Sequence, residues 1–175
     1  STLSSSSAAS DVYKRQDSYS LYQPKIDAYL DENINRRFSK LRKRSMALLQ
    51  EETSLLEVVR LVGRDSLSDE DQMKLHTSKS IREDFLQQNA FHDVDTFCPL
   101  EKQFKMLDTI LYFYDRGQEA LENGAYFSEI EELDVKESIA RMKYVPNEEL
   151  EKIDEIKDKI VSQLNKLVEV GDTDA

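Results

Sequence analysis

An all-α fold follows from three features of the sequence. Apolar residues recur at steps of three and four over several long stretches, the period of a helix face. Only four glycines and three prolines punctuate the chain, which leaves few places for tight strand turns. No stretch alternates polar with apolar residues as a half-buried strand would. A chain of 175 residues suits one domain and can bury roughly 70% of the surface that its unfolded form exposes. The expected architecture is a bundle of long antiparallel helices.

The first predicted helix runs from Ile34 to Val62. Ile34, Phe38, Leu41, Leu48, Leu55, Val59 and Val62 form one stripe, and Leu49, Leu56 and Val58 widen it enough to predict burial on more than one side. Gly63 ends it, since glycine readily takes the left-handed conformation that closes a helix. In the link that follows, Ser68 reads as an N-cap with Asp71 three residues on, and Asp69, Glu70 and Asp71 place negative charge on the positive end of the next helix dipole. That helix is expected to reach about Gln88 and to bury Met73, Ile81, Phe85 and Leu86.

Pro99 suits the first turn of a third helix, where a missing amide costs nothing. Leu100, Phe104, Leu107, Leu111, Tyr114 and Leu121 mark its buried face, and Asn123-Gly124 ends it. A short helix is predicted from Val135 to Met142. The last helix should start after Pro146 with Asn147 as cap and Glu148 and Glu149 in its first turn. Its stripe is Leu150, Ile153, Lys157, Ile160, Leu164 and Leu167, with only Lys157 polar.

Composition removes several classes of function. No apolar run approaches a membrane span and no secretory signal is visible, so no direct membrane insertion is expected. The single cysteine, Cys98, excludes an internal disulfide. A net charge of -11 repels a phosphate backbone. The basic run Arg36 to Arg44 is the local exception, but its one aromatic residue, Phe38, belongs to the apolar stripe and no stacking aromatics interleave on the charged face, so a solvated helix face explains it better than nucleic-acid binding. Residues 1–16, "STLSSSSAASDVYKRQ", show no periodicity and are expected to be disordered. Their "AASDVYKRQ" resembles adaptor-derived sequence and is expected to be non-native, as residues 171–175 are expected to form a disordered tail.

The stretch "REDFLQQNAFHDVDTFCPLEKQ", Arg82 to Gln103, invites three readings. His92, Asp93, Asp95 and Cys98 offer metal-ligand atoms, but soft sulfur and hard oxygen at irregular spacing match no familiar site. Hydrolytic catalysis has no nucleophile and base arrangement to stand on, and the chain has neither a phosphate loop nor a dinucleotide fingerprint. A pocket remains: "FLQQNAF" sets aromatic rings beside amides, where a flat heterocycle could stack while an amide reads its edge. Composition alone favours ordinary packing at a helix corner.

Four segments, in order and spacing, carry a family resemblance: "SYSLY" (Ser18 to Tyr22), "ALLQEE" (Ala47 to Glu52), "RLVG" (Arg60 to Gly63) and "IREDFLQQNAFHDVDTFCPLEKQ" (Ile81 to Gln103). They closely resemble the C-terminal region of the catalytic A subunits of prokaryotic V-type (A-type) ATP synthases, over roughly Asp17 to Val170. The form of the last segment after "QNAF" is what favours a bacterial or archaeal source.

The resemblance implies that residues 17–33 are the end of a nucleotide-binding domain and its connection, and that residues 34–170 are a C-terminal helical domain. It implies a lever that couples ATP synthesis or hydrolysis to rotation of a central shaft and to H+ or Na+ transport. The family's phosphate loop, catalytic glutamate and magnesium lie in a domain upstream of the segments matched, so no catalytic residue, metal site or autonomous ATPase activity is expected here. ATP or ADP with Mg2+ belongs to the full-length subunit, with nothing bound strongly by this chain. Residue by residue, Gln88, Asn89, Ala90 and Phe91 match the segment lining the adenine end of the catalytic site, with Phe91 the ring-packing residue. Leu67, Ser68, Asp69, Glu70 and Asp71 ("LSDED") resemble the acidic helix-turn-helix tip that presses on the shaft. The implied partners are B subunits in an alternating A3B3 hexamer and the shaft subunits, on the cytoplasmic face of the cell membrane. A non-enzymatic helical interaction module, binding through the stripe of Ile34 to Val62, is the alternative.

Overall fold

The computed structural model describes residues 25–86 and 99–173, with side chains described as far as residue 169. All regular structure among the described residues is helical, as the spacing predicts. Two compact units are distinguished, Ser1–Ser39 and Lys40–Ala175.

In the first unit, residues 25–33 form helix α1. Its end is tied off by the amides of Ile34 and Asn35, which both donate to the Leu30 carbonyl at 3.0 and 3.1 Å. The predicted helix start at Ile34 is corrected here. α2 is Phe38–Val62, because Asn35 interrupts the chain: its side-chain oxygen accepts from the Arg37 amide at 3.0 Å. Asp31 then accepts from the Ser39 amide at 2.8 Å, so a carboxylate satisfies a free donor in the opening turn of α2.

The second unit is built around α4, Leu100–Glu122. Pro99 takes the cap position, one residue earlier than a first-turn proline. The single stripe read from the sequence understates this helix. Leu107 and Leu111 are buried as expected, but so are Met106, Ile110, Phe113 and Ala120, with Lys102, Asp108 and Thr109 among them. A central helix is covered on several sides, so its burial exceeds any one face. The long last helix, α7 (Glu151–Thr173), packs along α4 on one side, and α3 (Asp69–Ser80) packs on another.

α7 sets Ile153, Ile160 and Leu164 against the core, together with Ile156, which lies beside the predicted stripe. The lone polar member of that stripe is explained by α4. Lys157 Nζ donates to Asp108 Oδ2 at 2.5 Å and lies 5.2 Å from the Tyr112 ring centre. The predicted Asn147 cap is corrected: Asn147–Glu149 form one 3-10 turn capped by Pro146, and the α-helix begins at Glu151. Between α4 and α7 the chain makes α5 (Phe127–Glu131), which the sequence reading did not include, and α6 (Val135–Arg141), expected there as a short helix from Val135 to Met142. Gly124, at φ +102°, makes the turn after α4 in a region that side chains rarely enter.

Lys40 onward, α2 is joined to the core by polar links. Ser78 Oγ on α3 donates to the Leu48 carbonyl at 3.0 Å, and Arg44 forms a two-pronged pair with Asp115 on α4. The widened stripe of α2 is not buried on more than one side. Leu41 and Leu48 are covered, Leu55 and Val59 are half-covered, and Leu56, Val58, Leu61 and Val62 are exposed. Helix periodicity reports amphipathicity but cannot say where the core ends along the axis. The distal turns of α2 run past it.

Candidate functional site

Two features stand out on the second unit: the turn joining α2 to α3, and the cleft beside it.

The turn is built by local chemistry. Gly63, at φ +91°, ends α2, and its carbonyl accepts from Ser66 Oγ at 2.6 Å. Residues Arg64–Ser66 make one 3-10 turn. Ser68 then caps α3, its hydroxyl oxygen accepting from the Asp71 amide at 3.2 Å, as its position relative to Asp71 predicts. Leu67 is turned inward at 8% exposure, while Ser68 and Glu70 face solvent and Asp69 and Asp71 are half-covered. Leu61 and Val62, at 72% and 68%, extend the exposed surface with large apolar groups.

Long-range contacts hold this turn against the end of α4 and the segment after it. Asp69 Oδ2 accepts from the Phe127 amide at 3.2 Å, and Gln118 Nε2 donates to the Glu70 carbonyl at 3.2 Å. Arg64 pairs with Glu131 at 2.7 Å and lies 5.8 Å from the Phe127 ring centre. The Arg64 guanidinium bonded to Glu131 holds that carboxyl below the usual range. Arg64, Phe127 and Glu131 were missed by sequence reasoning, and no local signal announces partners 67 residues apart.

The cleft, of about 420 Å3, lies between the distal half of α2 and helices α3, α4 and α6. Phe113, Ile110 and Ile139 give it apolar walls, and Arg64, Lys79 and Lys136 bring charge to it. His76 faces the same space, edge-on to Phe113 with ring centres 6.0 Å apart. Burial, then the nearby Lys136 ammonium, pushes its pKa down to about 4, so the ring is neutral at pH 7.

Beyond α3 the helix widens. Ile81–Leu86 form a π-helical segment, a form that often marks functional positions. It corrects the expected uniform helix: Ile81 is buried, but Phe85 is half-covered and Leu86 is 43% exposed, while Asp84 points inward. The extra residue in the turn rotates the register, so the three-four pattern fails there. Burial raises the Asp84 pKa above its ordinary value, against the opposing Ser80 hydroxyl bonded at 2.8 Å. The chain then enters residues 87–98. Gln88, Asn89, Ala90 and Phe91, like His92, Asp93, Asp95 and Cys98, lie outside the described residues.

Among the described residues there is no group of three or more side chains suited to a metal ion, and no helix long and apolar enough to cross a membrane. Fold and surface together define an all-α module with a braced, partly apolar helix-turn-helix end and a cleft at its side.

The chain belongs to the family of C-terminal domains of V and A type ATP synthases, whose family model matches residues 27–131. It is 51% identical over 154 residues to the V-type ATP synthase alpha chain of Clostridium botulinum (strain Okra / Type B1), covering 88% of this chain and 26% of the relative. It is 50% identical over 158 residues to the alpha chain of Thermoanaerobacter pseudethanolicus, covering 90% and 27%. With V-type ATP synthase alpha chain 1 of Clostridium tetani the identity is 48% over 154 residues. The chain therefore spans about a quarter of the length of the curated relatives it matches.

Proposed function

We propose that residues 34–170 act as the lever of a rotary ATP synthase A subunit, with residues 17–33 leading in from the nucleotide-binding domain. Events at a nucleotide site elsewhere in the subunit would swing the helical domain, and the α2–α3 turn would transmit the motion to a central shaft. ATP or ADP with Mg2+ would be held chiefly by that other domain. The B subunits of an A3B3 hexamer and the shaft would be the partners, on the cytoplasmic face of the membrane, and H+ or Na+ the transported ion. Gln88, Asn89, Ala90 and Phe91 would face the adenine.

The observation that carries the reading is the turn itself. A rigid projection converts a small rotation at its base into a larger displacement at its end. Here the projection is held by Asp69, Glu70 and Arg64 against a second segment, while Leu61, Val62, Ser68 and Glu70 face outward. Leu67 would anchor the contact from beneath, and the outward residues would meet the shaft. Exposed ion pairs contribute only about 0–1 kcal/mol, so steric pushing rather than charge would carry the force. The family match, residues 27–131, spans all of α2 and continues through α5, and so favours this reading over a free-standing interaction module.

The test is a complete subunit carrying Leu61→Asp and Val62→Asp, reconstituted with its partners. Shaft torque should fall several-fold, with folding unchanged because both positions are exposed. Undiminished torque would overturn the assignment.

A further inference from the structure

We propose that the cleft beside the turn binds an organic phosphate, its dianion held among Arg64, Lys79 and Lys136 and its apolar body resting on Ile110, Phe113 and Ile139. The three cations come from three separate elements: the turn after α2, the last turn of α3 and the first turn of α6. All three line the same cleft of about 420 Å3. The lining of the cleft is balanced in charge, with Arg64, Lys79, Arg82 and Lys136 facing Glu52, Glu83, Asp84 and Glu131, so a dianion would depend on the cations that these carboxylates leave unpaired.

The acidic residues of the cleft offset this cluster only in part: Glu83 also lines it, and Asp84 feels the charge of Lys79. Glu52 is engaged by Arg82 at 3.0 Å, and Asp84 by Ser80 and, at 3.8 Å, by Lys143. Glu131 is bonded to Arg64 at 2.7 Å, so each offsets the charge of the other. Lys136 Nζ spends one donor on the Glu131 carbonyl at 2.7 Å, and an ammonium has three. Among the described residues no carboxylate lies within 4.0 Å of the Lys79 or Lys136 ammonium. The titration behaviour agrees. Lys136 is pulled below its ordinary value first by burial, and then, against Glu131, by Lys79 and Arg64. The same three cations help to depress His76. A bound dianion would relieve both, and Arg64 would supply the planar fork that suits phosphate oxygens. The floor argues for more than a free ion: Phe113 and His76 offer ring surfaces where an apolar body could settle.

The experiment titrates phenyl phosphate into the 175-residue chain. Ionic strength is fixed with sodium chloride, and the His76 ring is followed by NMR, its signals assigned with His76→Gln. Saturable shifts are expected, with the His76 titration moving to higher pH. Inorganic phosphate should bind at least tenfold more weakly, and phenol should not saturate over the same range. A Lys79→Gln, Lys136→Gln double variant should weaken phenyl phosphate at least tenfold while keeping the parent circular dichroism. Should that variant misfold, Lys79→Gln alone, at an exposed position, should still weaken binding several-fold. Absent saturation, equal binding of phenol, equal binding of inorganic phosphate, or undiminished affinity in the folded variants would each overturn the proposal.

Discussion

The amide of Phe127 donates to Oδ2 of Asp69 at 3.2 Å, across 58 residues of sequence. One acidic side chain at the α2–α3 turn thus satisfies a free donor in the first turn of α5, a short helix with few bonds of its own. The acidity of "LSDED" therefore has a structural use as well as any at a surface.

Asp69→Ala should destabilise the chain by about 0.5–2 kcal/mol, the scale of a lost helix cap. Glu70→Ala should change stability by less than about 0.5 kcal/mol, because only its backbone carbonyl is engaged in a described hydrogen bond. Urea denaturation of both variants separates the two roles. Equal effects would show that the Asp69 bond contributes nothing. Replacing Asp69, Glu70 and Asp71 together in the complete subunit should still leave most torque intact. Near-total loss of rotation-coupled hydrolysis there would show that charge, not shape, carries the push.

His76 makes stability depend on pH. Its folded pKa of about 4 lies below the ordinary 6.5, so between those values the unfolded chain binds more protons. Unfolding free energy should then fall as pH drops from about 6.5 towards 4, by up to about 3 kcal/mol from this group. Carboxylates titrate in the same range, so the informative quantity is the parent curve minus that of His76→Phe. That difference should slope downward with acid. A flat difference would place the ring in water.

Gly117 lies where a methyl group would come 2.5 Å from Cε of the fully buried Met73. Gly117→Ala should gain about 1 kcal/mol of helix propensity and lose about 1–3 to crowding, for a small net loss. Adding Met73→Leu, which lacks the terminal methyl, should recover part of it. Thermal melts of the two variants give the sign.

Lys157→Met removes a cation from Asp108, which is only 7% exposed. Leaving that carboxylate without this partner should cost about 1–3 kcal/mol. Lys152→Met, which disrupts a surface pair with Glu149, should leave stability essentially unchanged. Similar losses in both would contradict the burial of Asp108.

On the proposed reading that Phe91 packs on the adenine, Phe91→Ala in the complete subunit should weaken ATP binding by about 1–3 kcal/mol. Unchanged nucleotide affinity would return Phe91 to ordinary packing.

What the sequence determined by itself was local. Ser68, Gly63 and Pro99 mark helix ends because a cap or a left-handed turn acts within a few residues, and three-four spacing identifies α2, α4 and α7 because a helix repeats every 3.6 residues. The same locality explains the errors at Ile34, Asn147 and Leu86, where Asn35, a 3-10 turn and a π-helical segment each shifted the register. Lys157 was visible as the one polar residue in its stripe, but Asp108 as its reason was not. Tertiary structure alone decided that α4 is buried on several sides, that Leu61 and Val62 run beyond the core, and that Arg64 meets Glu131. Those outcomes depend on which distant segments arrive at the same place, and periodicity along one helix holds no record of its neighbours.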